Sequence, residues 1–358
     1  MKSYVIIYLL KVGVYCMDIF ALEQLRKKAI IKFFLFMLLD LIVIGFFIYS
    51  YFNIDKVSNI VIFGFFFYFV LSVMFKNSLG KNFEKTVKTN CIQKILDDIV
   101  RDNGKVEWRA QTFMDCLIND LSDQKYPDAN NINCHYSYPM DSGIDMLASG
   151  INENNQLLDN KQISFSFNPR ESRLFDFRSV TTDDSFEGIY KGVNFKIIET
   201  EFTSGRGEDR TTPFKGCWMI IKSNKQFNSH TIISKRTYFF QKDLYKLDIP
   251  IPDFKKKYKV YTNNLQETSS LMSSDLCNLL TGVKNKTSMA IYDSNIILAI
   301  QMRGDLFKLG SIFKRVDDPK QYTKFVQEIS SLLSIIGRLK SIENLGLEQA
   351  EPVEAISE

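Results

Sequence analysis

The chain has few of the residues that build metal centres and disulfide frameworks. Its 358 residues include only two histidines, His135 and His230, and six widely spaced cysteines without a C-x-x-C pair. A zinc or iron site therefore has few ligands to draw on, and a chain of this size does not need disulfide bonds to be stable. The adjacent residues Cys134 and His135 would point their side chains apart on a strand. We expect reduced, structural cysteines and no metal or other cofactor.

The sequence also lacks the short motifs that hold phosphate or activate a nucleophile. Neither SLGK nor TGVKNKT supplies the G-x-x-x-x-G-K-[ST] frame, and no serine stands in a nucleophile elbow. An acid–base pair could form among the acidic residues Asp183, Asp184, Glu187, Glu199 and Glu201. Glu199 and Glu201, however, alternate along a predicted strand as solvated residues do. A net charge of +4 is small for attraction to nucleic acid. We expect no enzymatic activity and no nucleic-acid partner.

Long apolar runs, by contrast, are present twice near the N-terminus. Phe33–Phe52 contains twenty residues and Val57–Phe75 nineteen, with only the polar turn Asn53–Lys56 between them. At about 1.5 Å per residue, each run is close to the roughly 30 Å of a bilayer's hydrocarbon core. The sequence therefore predicts an antiparallel transmembrane helical hairpin. A hairpin buried in a soluble protein is the alternative, and the scarcity of polar residues on either run disfavours it.

Positively charged residues flank this hairpin on its open side. Four precede the first run and four follow the second, whereas the turn holds Lys56 alone; the eight are Arg26, Lys27, Lys28, Lys32, Lys76, Lys81, Lys85 and Lys88. Because cationic flanks remain in the cytoplasm, the turn is expected outside. This predicts a multi-pass inner-membrane protein with cytoplasmic N- and C-termini and with the lipid bilayer as a partner.

One carboxylate, Asp40, interrupts the first run. On insertion scales a central aspartate costs roughly 2.5–3.5 kcal/mol, which the neighbouring leucines, isoleucines and phenylalanines outweigh. Folding the hairpin about the midpoint of its turn places Asp40 level with residue 69, so we expect a hydrogen bond from Tyr68 that ties the spans together. The same carboxylate could instead join a second copy of the protein. An ion or proton pathway would need several polar groups, and few are available: Asp40, Tyr68, Ser58, Asn59 and Ser72.

The first residues precede this hairpin as a lead-in, 1–29. MKSYVIIYLLKVGVYC resembles a signal sequence, but Lys11 interrupts its apolar core and no small-x-small cleavage site follows. Met17 is a plausible true start, because the residues after it form a cytoplasmic approach to the first span. The hairpin itself is assigned to 30–76.

The remainder divides into four segments by composition and periodicity. An amphipathic helix in FEKTVKTNCIQKILDDIVRD and a shorter one at Gln111–Leu121 make 82–121 a pair of membrane-proximal helices. The Asn-, Asp-, Ser- and Pro-rich stretch 122–160 is a connector. A cytoplasmic α+β domain follows at 161–345, and the acidic tail 346–358 is expected to be disordered.

Within 161–345 the pattern changes to short strands separated by turn residues. QISFSF, FKIIETEF, GCWMII, HTIISK and KYKVYT read as strands, with a bulge at Ile197–Ile198 and a hairpin tip at SGRGEDR. Asn264 and Glu267 are spaced as a helical capping box. A second hairpin is predicted across Asp293–Ser294, and Tyr322–Leu339 forms a closing amphipathic helix. The fold class is α+β: a transmembrane hairpin followed by a mainly antiparallel β domain with flanking helices.

Two further groups of side chains in this domain have ordinary interpretations beside functional ones. Arg170, Arg173 and Arg178 could contact anionic lipid heads, or form a solvated basic face. Phe214 and Trp218 are better placed to fill the core than to stack on a ligand.

Three separated phrases carry a family resemblance. DDSFEGIYKGVNFKIIETEF, PFKGCWMIIKSNKQFNSHTII and YKVYTNNLQETSSLMSSDLCNLL occur in the order seen in the bacterial domain-of-unknown-function family 3137, DUF3137. The chain resembles that family from about residue 30 to 342. Its members have an N-terminal pair of spans and a cytoplasmic domain, so the resemblance implies the same topology. It implies no catalytic residues, because the family has no assigned activity.

Three functional hypotheses follow. The first is a non-enzymatic inner-membrane protein whose cytoplasmic domain binds a protein or lipid partner at the membrane surface. The second is a membrane-tethered enzyme whose site is assembled from scattered residues. The third is a scaffold that self-associates through its spans at Asp40. A deep polar pocket would favour the enzyme, and a flat or grooved surface the binding protein.

Overall fold

The computed structural model describes residues 19–53, 59–100, 104–110, 165, 167–235, 243–304, 306–316 and 318–347. Several predictions concern residues outside these ranges. They are the start at Met17, the Cys134–His135 pair, the helix at 111–121, the connector 122–160 and the tail beyond Leu347.

Two long helices begin the described chain. Helix α1 spans Ile19–Asn53 and helix α2 spans Asn59–Val100. The amphipathic segment that follows the second apolar run is continuous with it, because nothing between Phe75 and Phe83 breaks a helix: the residues there include no proline, and Gly80 stands alone. The predicted apolar face of that segment is buried at Phe83, Val87, Ile92, Ile95 and Leu96.

Contacts divide the chain into two compact units. The first comprises Met1–Arg101 and Phe307–Leu332, and the second comprises Asp102–Leu306 and Leu333–Glu358. The closing helix α6, Pro319–Lys340, therefore contributes residues to both. Its predicted apolar stripe is buried at Tyr322, Phe325, Ile329, Leu333, Ile336 and Leu339.

The second unit is built on an antiparallel sheet that has seven strands among the described residues. The strands are β1 Gly104–Ala110, β2 Ser179–Tyr190, β3 Val193–Ser204, β4 Thr211–Ser234, β5 Tyr245–Leu247, β6 Lys259–Thr262 and β7 Thr287–Gln301. Their order is β1-β2-β3-β4-β6-β5, and β7 pairs with β4. Three short helices, α3 Pro252–Lys257, α4 Leu265–Leu271 and α5 Ser274–Gly282, connect β5, β6 and β7. The α+β class with mainly antiparallel pairing is confirmed.

Strand β4 is the centre of this sheet. Its first half pairs with β3, its end pairs with β6 at residues 231–234, and it pairs with β7 over most of its length. Phe214 and Trp218, both 1% exposed, lie in a core cluster with Phe202 and Ile232, which confirms that they fill the core. GCWMII and HTIISK are thus parts of one strand, with register shifts between Lys222 and Thr231.

The bulge predicted at Ile197–Ile198 is wrong. Both residues pair in continuous register with β2 and β4, and both are fully buried. Two successive apolar residues are compatible with a regular strand when both faces of the sheet are covered. The register shift lies opposite, in β2, between Thr182 and Ser185.

The hairpin predicted across Asp293–Ser294 is also wrong. These residues lie inside β7, where Asp293 pairs with Phe227 of β4. Asp293 has a φ of 49°, a left-handed conformation that aspartate tolerates better than most residues, so the pair accommodates an irregularity in the ladder instead of a turn. The tip at SGRGEDR is confirmed between β3 and β4.

Strand β1 lies within the range 82–121 that was assigned to helices. It pairs with β2 from Gly104 to Ala110, and Val106 is buried. The alternation of Val106 and Trp108 with charged residues is typical of a strand, and its seven residues are too few to show a helical period.

Half of the predicted capping box is present. Asn264 accepts a hydrogen bond from the Glu267 backbone at 3.2 Å, whereas the Glu267 side chain accepts one from the Asn228 backbone.

His230 occupies β4, as predicted, and it is held between two elements. Its ring stacks on Tyr292 of β7 with centroids 4.9 Å apart, and Nε2 lies 3.2 Å from the Ser172 carbonyl oxygen. Because a carbonyl only accepts, Nε2 carries the proton and donates it. Burial lowers the pKa of His230, and the Arg173 guanidinium lowers it further, against opposing effects of the Ser172 carbonyl, Asp243 and Asp293.

This pKa predicts a loss of stability in mild acid. A histidine whose folded-state pKa lies below its unfolded value near 6.5 takes up a proton more readily when unfolded, so stability falls as the pH drops below about 6.5. We expect His230→Phe, which keeps a ring against Tyr292, to lose less stability between pH 7.5 and 5.5 than the unsubstituted protein. Thermal unfolding at both pH values measures this. Equal losses in the two proteins would show that other groups cause the acid effect.

Candidate functional site

A polar cluster lies between α1 and α2. Asp40 Oδ1 accepts hydrogen bonds from the Tyr68 hydroxyl at 3.0 Å and from the Ser72 hydroxyl at 2.6 Å. Asp40 Oδ2 forms an ion pair with the Lys76 ammonium. Asp40 is 7% exposed and Ser72 is 4% exposed, so the cluster is almost sealed from the outside of the helix pair.

The spacing of the three donors explains how one carboxylate reaches them all. Tyr68, Ser72 and Lys76 are each four residues apart, so they form one stripe along α2. Asp40 faces the middle of this stripe from α1. The hydrogen bond from Tyr68 expected from the sequence is present, but the helices are shifted by about one turn, which places Asp40 level with Ser72 instead of residue 69.

Lys76 has a role that the sequence analysis missed. It was treated only as part of the cationic flank, whereas its ammonium neutralises Asp40. The four-residue spacing from Tyr68 through Ser72 to Lys76 is the signal that could have identified it. An ion pair that also receives two hydroxyl hydrogen bonds satisfies the carboxylate far better than one tyrosine would.

Around the cluster, the outer surface of the helix pair is apolar. Leu38, Leu39, Leu41 and Ile42 beside Asp40 are all between 43% and 63% exposed. The two candidate spans, Phe20–Ser50 and Ile62–Asp97, are long and apolar enough to cross a membrane by length and composition, and only 6% of the most apolar window of each is buried. The Asp40 cluster thus faces inward, while most of the apolar side chains beside it face outward.

A second feature, in the other unit, is a cluster of lysines at one end of the sheet. We call it the lysine-rich end, and it comprises Lys235, Lys255, Lys256, Lys257, Lys259, Lys284 and Lys286. They converge because the end of β4 meets the start of β6 and of β7: Ser234 pairs with Lys259, and its hydroxyl lies 3.2 Å from that of Ser288. Lys257 Nζ donates to the Thr281 carbonyl at 3.2 Å, which joins α3 to the end of α5.

The lysine-rich end has an excess of positive charge. Lys255 pairs with Asp248 at 2.6 Å and Lys256 with Asp253 at 3.7 Å. Lys235 lies over the Tyr258 ring, 5.4 Å from its centroid. Partial burial lowers the pKa of Lys235, and the nearby Lys257 and Lys286 lower it further, as expected for like charges held together.

The acidic residues considered for acid–base chemistry are partly brought together. Asp183, Asp184 and Glu199 have carboxylate oxygens within 4.8 Å of one another at the bulge in β2. Glu199 is only 8% exposed and accepts a hydrogen bond from the Leu306 backbone at 3.1 Å, so it is not the solvated residue that the sequence suggested. These three residues would supply three oxygen ligands, whereas calcium takes six to eight.

The other residues considered have structural contacts. Arg170 donates to the Phe177 carbonyl at 3.1 Å, and Arg173 pairs with Asp243 at 2.5 Å. Burial raises the pKa of the Cys277 thiol to about 11, which disfavours a reactive thiolate.

A cavity near Trp218 and Tyr292 has a volume of about 40 Å³.

Comparison with known proteins confirms the family resemblance over part of the chain. Residues 212–341, from β4 to the end of α6, match the family model "Protein of unknown function (DUF3137)". No curated protein matches the chain. The crystal structure of the mycobacterial trehalose monomycolate transport factor A is similar with a TM-score of 0.24 and 11% sequence identity, over 44% of this chain and 74% of that chain. A TM-score this low transfers neither fold nor function.

The Asp40 cluster makes a testable prediction about stability. Asp40→Leu should destabilise the protein by about 1.5–3 kcal/mol, because the Lys76 charge loses its partner between the helices. The double variant Asp40→Leu/Lys76→Leu should recover much of this loss, since both charges are then absent. Thermal unfolding in mild detergent measures both variants.

A single variant as stable as the unsubstituted protein, or a double variant no more stable than Asp40→Leu, would contradict a stabilising ion pair. Unchanged abundance together with unchanged self-association of Asp40→Leu would exclude both the packing and the assembly roles of this carboxylate.

Proposed function

We propose that the protein is an integral inner-membrane protein, anchored by the α1–α2 hairpin, whose α+β domain is a non-enzymatic binding module in the cytoplasm. The observation that carries the proposal is the inside-out arrangement of the hairpin. Its apolar side chains are exposed, and its charged pair Asp40 and Lys76 lies between the helices. The core helices of soluble proteins bury their apolar faces, whereas membrane helices must turn theirs to lipid.

The proposed orientation follows from the distribution of positive charge. Lys27, Lys28 and Lys32 at the open end of the hairpin are exposed, and Lys81 and Lys85 on α2 are exposed as well. Positively charged flanks favour the cytoplasmic side. The N- and C-termini and the sheet domain would then lie in the cytoplasm, where buried, reduced cysteines such as Cys217 and Cys277 are stable.

Binding is a better proposal than catalysis for two reasons. Sites for small molecules usually have cavities of about 300–1,000 Å³, and the cavity beside Trp218 is far smaller, at about 40 Å³. The lysine-rich end, in contrast, offers a charged surface on which most of the lysines are exposed. Such a surface suits a negatively charged partner, which could be an acidic protein or an anionic lipid.

Two alternatives have their own expected observations. A membrane-tethered enzyme would have a site assembled from scattered residues, and it would bind a small molecule stoichiometrically. A scaffold organised through Asp40 would self-associate through its spans. Since Asp40 already accepts from Tyr68, Ser72 and Lys76 within one chain, its contribution to packing is favoured over one to assembly.

Membrane anchoring predicts how the whole protein fractionates. We expect the intact chain to stay with the membrane after extraction with alkaline carbonate and to require detergent for release. A reporter that works only in the cytoplasm should be active when fused after the C-terminus, and a reporter that works only outside the cytoplasm should be inactive there. Release by carbonate, or activity of a reporter that works only outside the cytoplasm, would overturn the anchoring or the orientation respectively.

The lysine-rich end predicts a charge-dependent interaction. Lys284→Glu/Lys286→Glu should reduce recovery of a co-purifying protein, or of anionic lipid, at least severalfold in mild detergent, because each reversal changes the surface by two charges. The matched control is Lys320→Glu/Lys324→Glu, which makes the same change of charge on α6. Equal recovery with all three proteins would exclude this surface as the binding site.

A further inference from the structure

Within the connection between β7 and α6, residues 311–316 are attached to the base of the hairpin at Ile312 and at Val316. On α1, Glu23 and Arg26 form a two-bonded ion pair, with Arg26 Nη2 2.6 Å and Nε 2.9 Å from the carboxylate oxygens of Glu23. Arg26 Nη1 also donates to the Ile312 carbonyl at 3.0 Å, and Glu23 accepts from the Val316 backbone at 3.2 Å. The Glu23–Arg26 ion pair therefore holds the backbone at Ile312 and at Val316, on either side of residues 313–315.

The start of the segment is fixed against α2. Gly310 has a φ of 93°, and a Cβ at this position would lie 2.9 Å from the Cβ of Val87, so only glycine allows the approach. Ser311 then closes a tight turn: its carbonyl accepts from the Lys314 backbone at 3.2 Å, and its hydroxyl accepts from the Phe313 backbone at 3.3 Å. Ile312 and Val316 are buried.

This attachment leaves Phe313 pointing outward at the apex of the turn. Its side chain is 59% exposed, and its ring meets Phe33 edge-to-face with centroids 5.1 Å apart. Phe33 is the first residue of the first apolar run, and the neighbouring Phe34 is 57% exposed. The exposed apolar surface of the hairpin thus continues onto Phe313 instead of ending at α1.

Exposed basic residues follow Phe313 along the chain and also lie on the first turns of α1. Lys314 and Arg315 follow Phe313 directly and are exposed, and Lys27, Lys28 and Lys32 are exposed on the part of α1 that the segment contacts. An exposed aromatic ring followed directly by two exposed cations, placed where an apolar helix surface begins, has the chemistry of an interfacial membrane contact. A protein partner would need no such continuity with the hairpin.

We propose that Ser311–Val316 is a membrane-surface element that inserts Phe313 among the headgroups of anionic phospholipids. The proposal rests on the proposed anchoring of the hairpin in the bilayer. Phe313 enters the interfacial layer beside Phe33, while Lys314 and Arg315 contact lipid phosphates. The Glu23–Arg26 pair positions the segment and contacts no lipid itself.

Site-specific photo-crosslinking of the full chain tests this. The photoreactive residue p-benzoylphenylalanine is placed at position 313, or at Phe46, which is 66% exposed in the middle of the first span. Each protein is reconstituted into vesicles of phosphatidylcholine, with or without phosphatidylglycerol, and the adducts are identified by mass spectrometry. We expect lipid adducts at both positions, with phosphatidylglycerol enriched over its share of the vesicle at position 313 only.

The two positions separate the failure of this proposal from the failure of anchoring. Absence of lipid adducts at position 46 would overturn the anchoring itself. Lipid adducts at position 46 together with none at 313, or with adducts at 313 to a second protein chain, would overturn the membrane-surface element and leave the anchoring intact.

A charge variant tests the choice of lipid. Lys314→Glu should lower the enrichment of phosphatidylglycerol at position 313 by roughly fivefold or more, since one basic residue near an anionic surface changes binding by about that factor. Lys320→Glu, an equal change at an exposed lysine on α6, should leave the enrichment unchanged. Equal adduct yields from both lipids, unaffected by Lys314→Glu, would contradict the recognition of anionic headgroups.

Discussion

A charged carboxylate can lie within an apolar helix pair only if other groups neutralise it and satisfy its oxygens. In this protein Lys76 supplies the opposite charge, and Tyr68 and Ser72 supply the remaining hydrogen bonds. Because these donors lie at fixed four-residue intervals on α2, they also set the register of α1 against α2. Many apolar side chains of the pair face outward, and the base of the hairpin presents Glu23 and Arg26 to the residues that follow β7. The properties proposed for the first unit depend on this neutralisation.

The sheet domain solves a different physical problem. Its central strand β4 is shared by three partners, and both faces of β3 and β7 carry buried side chains, as at Ile197, Ile198 and Ile297. Stability in such a sheet comes from burial on both sides, so its surface is free to carry charge. At the lysine-rich end, the cations lie at the ends of strands and on a short helix, where they do not disturb the core.

The sequence predicted some of these features well and others poorly, for identifiable reasons. Long helices with a strong period, such as Tyr322–Leu339, and long apolar runs are local signals, and both form helices as predicted. Errors arose where a strand is buried on both faces. Alternation disappears there, and Ile197–Ile198 then looks like a bulge. Asp293–Ser294 looks like a turn for another reason: these turn-type residues lie at an irregular point inside β7. At the candidate site, the hydrogen bond from Tyr68 to Asp40 was predicted from the geometry of the hairpin. The ion pair of Lys76 with Asp40 was missed, because a lysine after an apolar run was assigned to the cationic flank. The attachment of Phe313 to Phe33 joins residues 280 positions apart, and no local pattern predicts it.

The unbroken helix α2 has a mechanical consequence. It runs from Asn59 to Val100 without interruption, so its apolar part and its amphipathic part cannot bend independently. The distance from Phe75 to Val100 along the axis is about 37 Å at 1.5 Å per residue. A change of about 10° in the angle of this rod within the bilayer would carry its far end sideways by roughly 6 Å, by the same geometry. Bilayer thickness, which influences the tilt of spanning helices, would in such an anchored protein be converted into displacement of the Val100 end of α2.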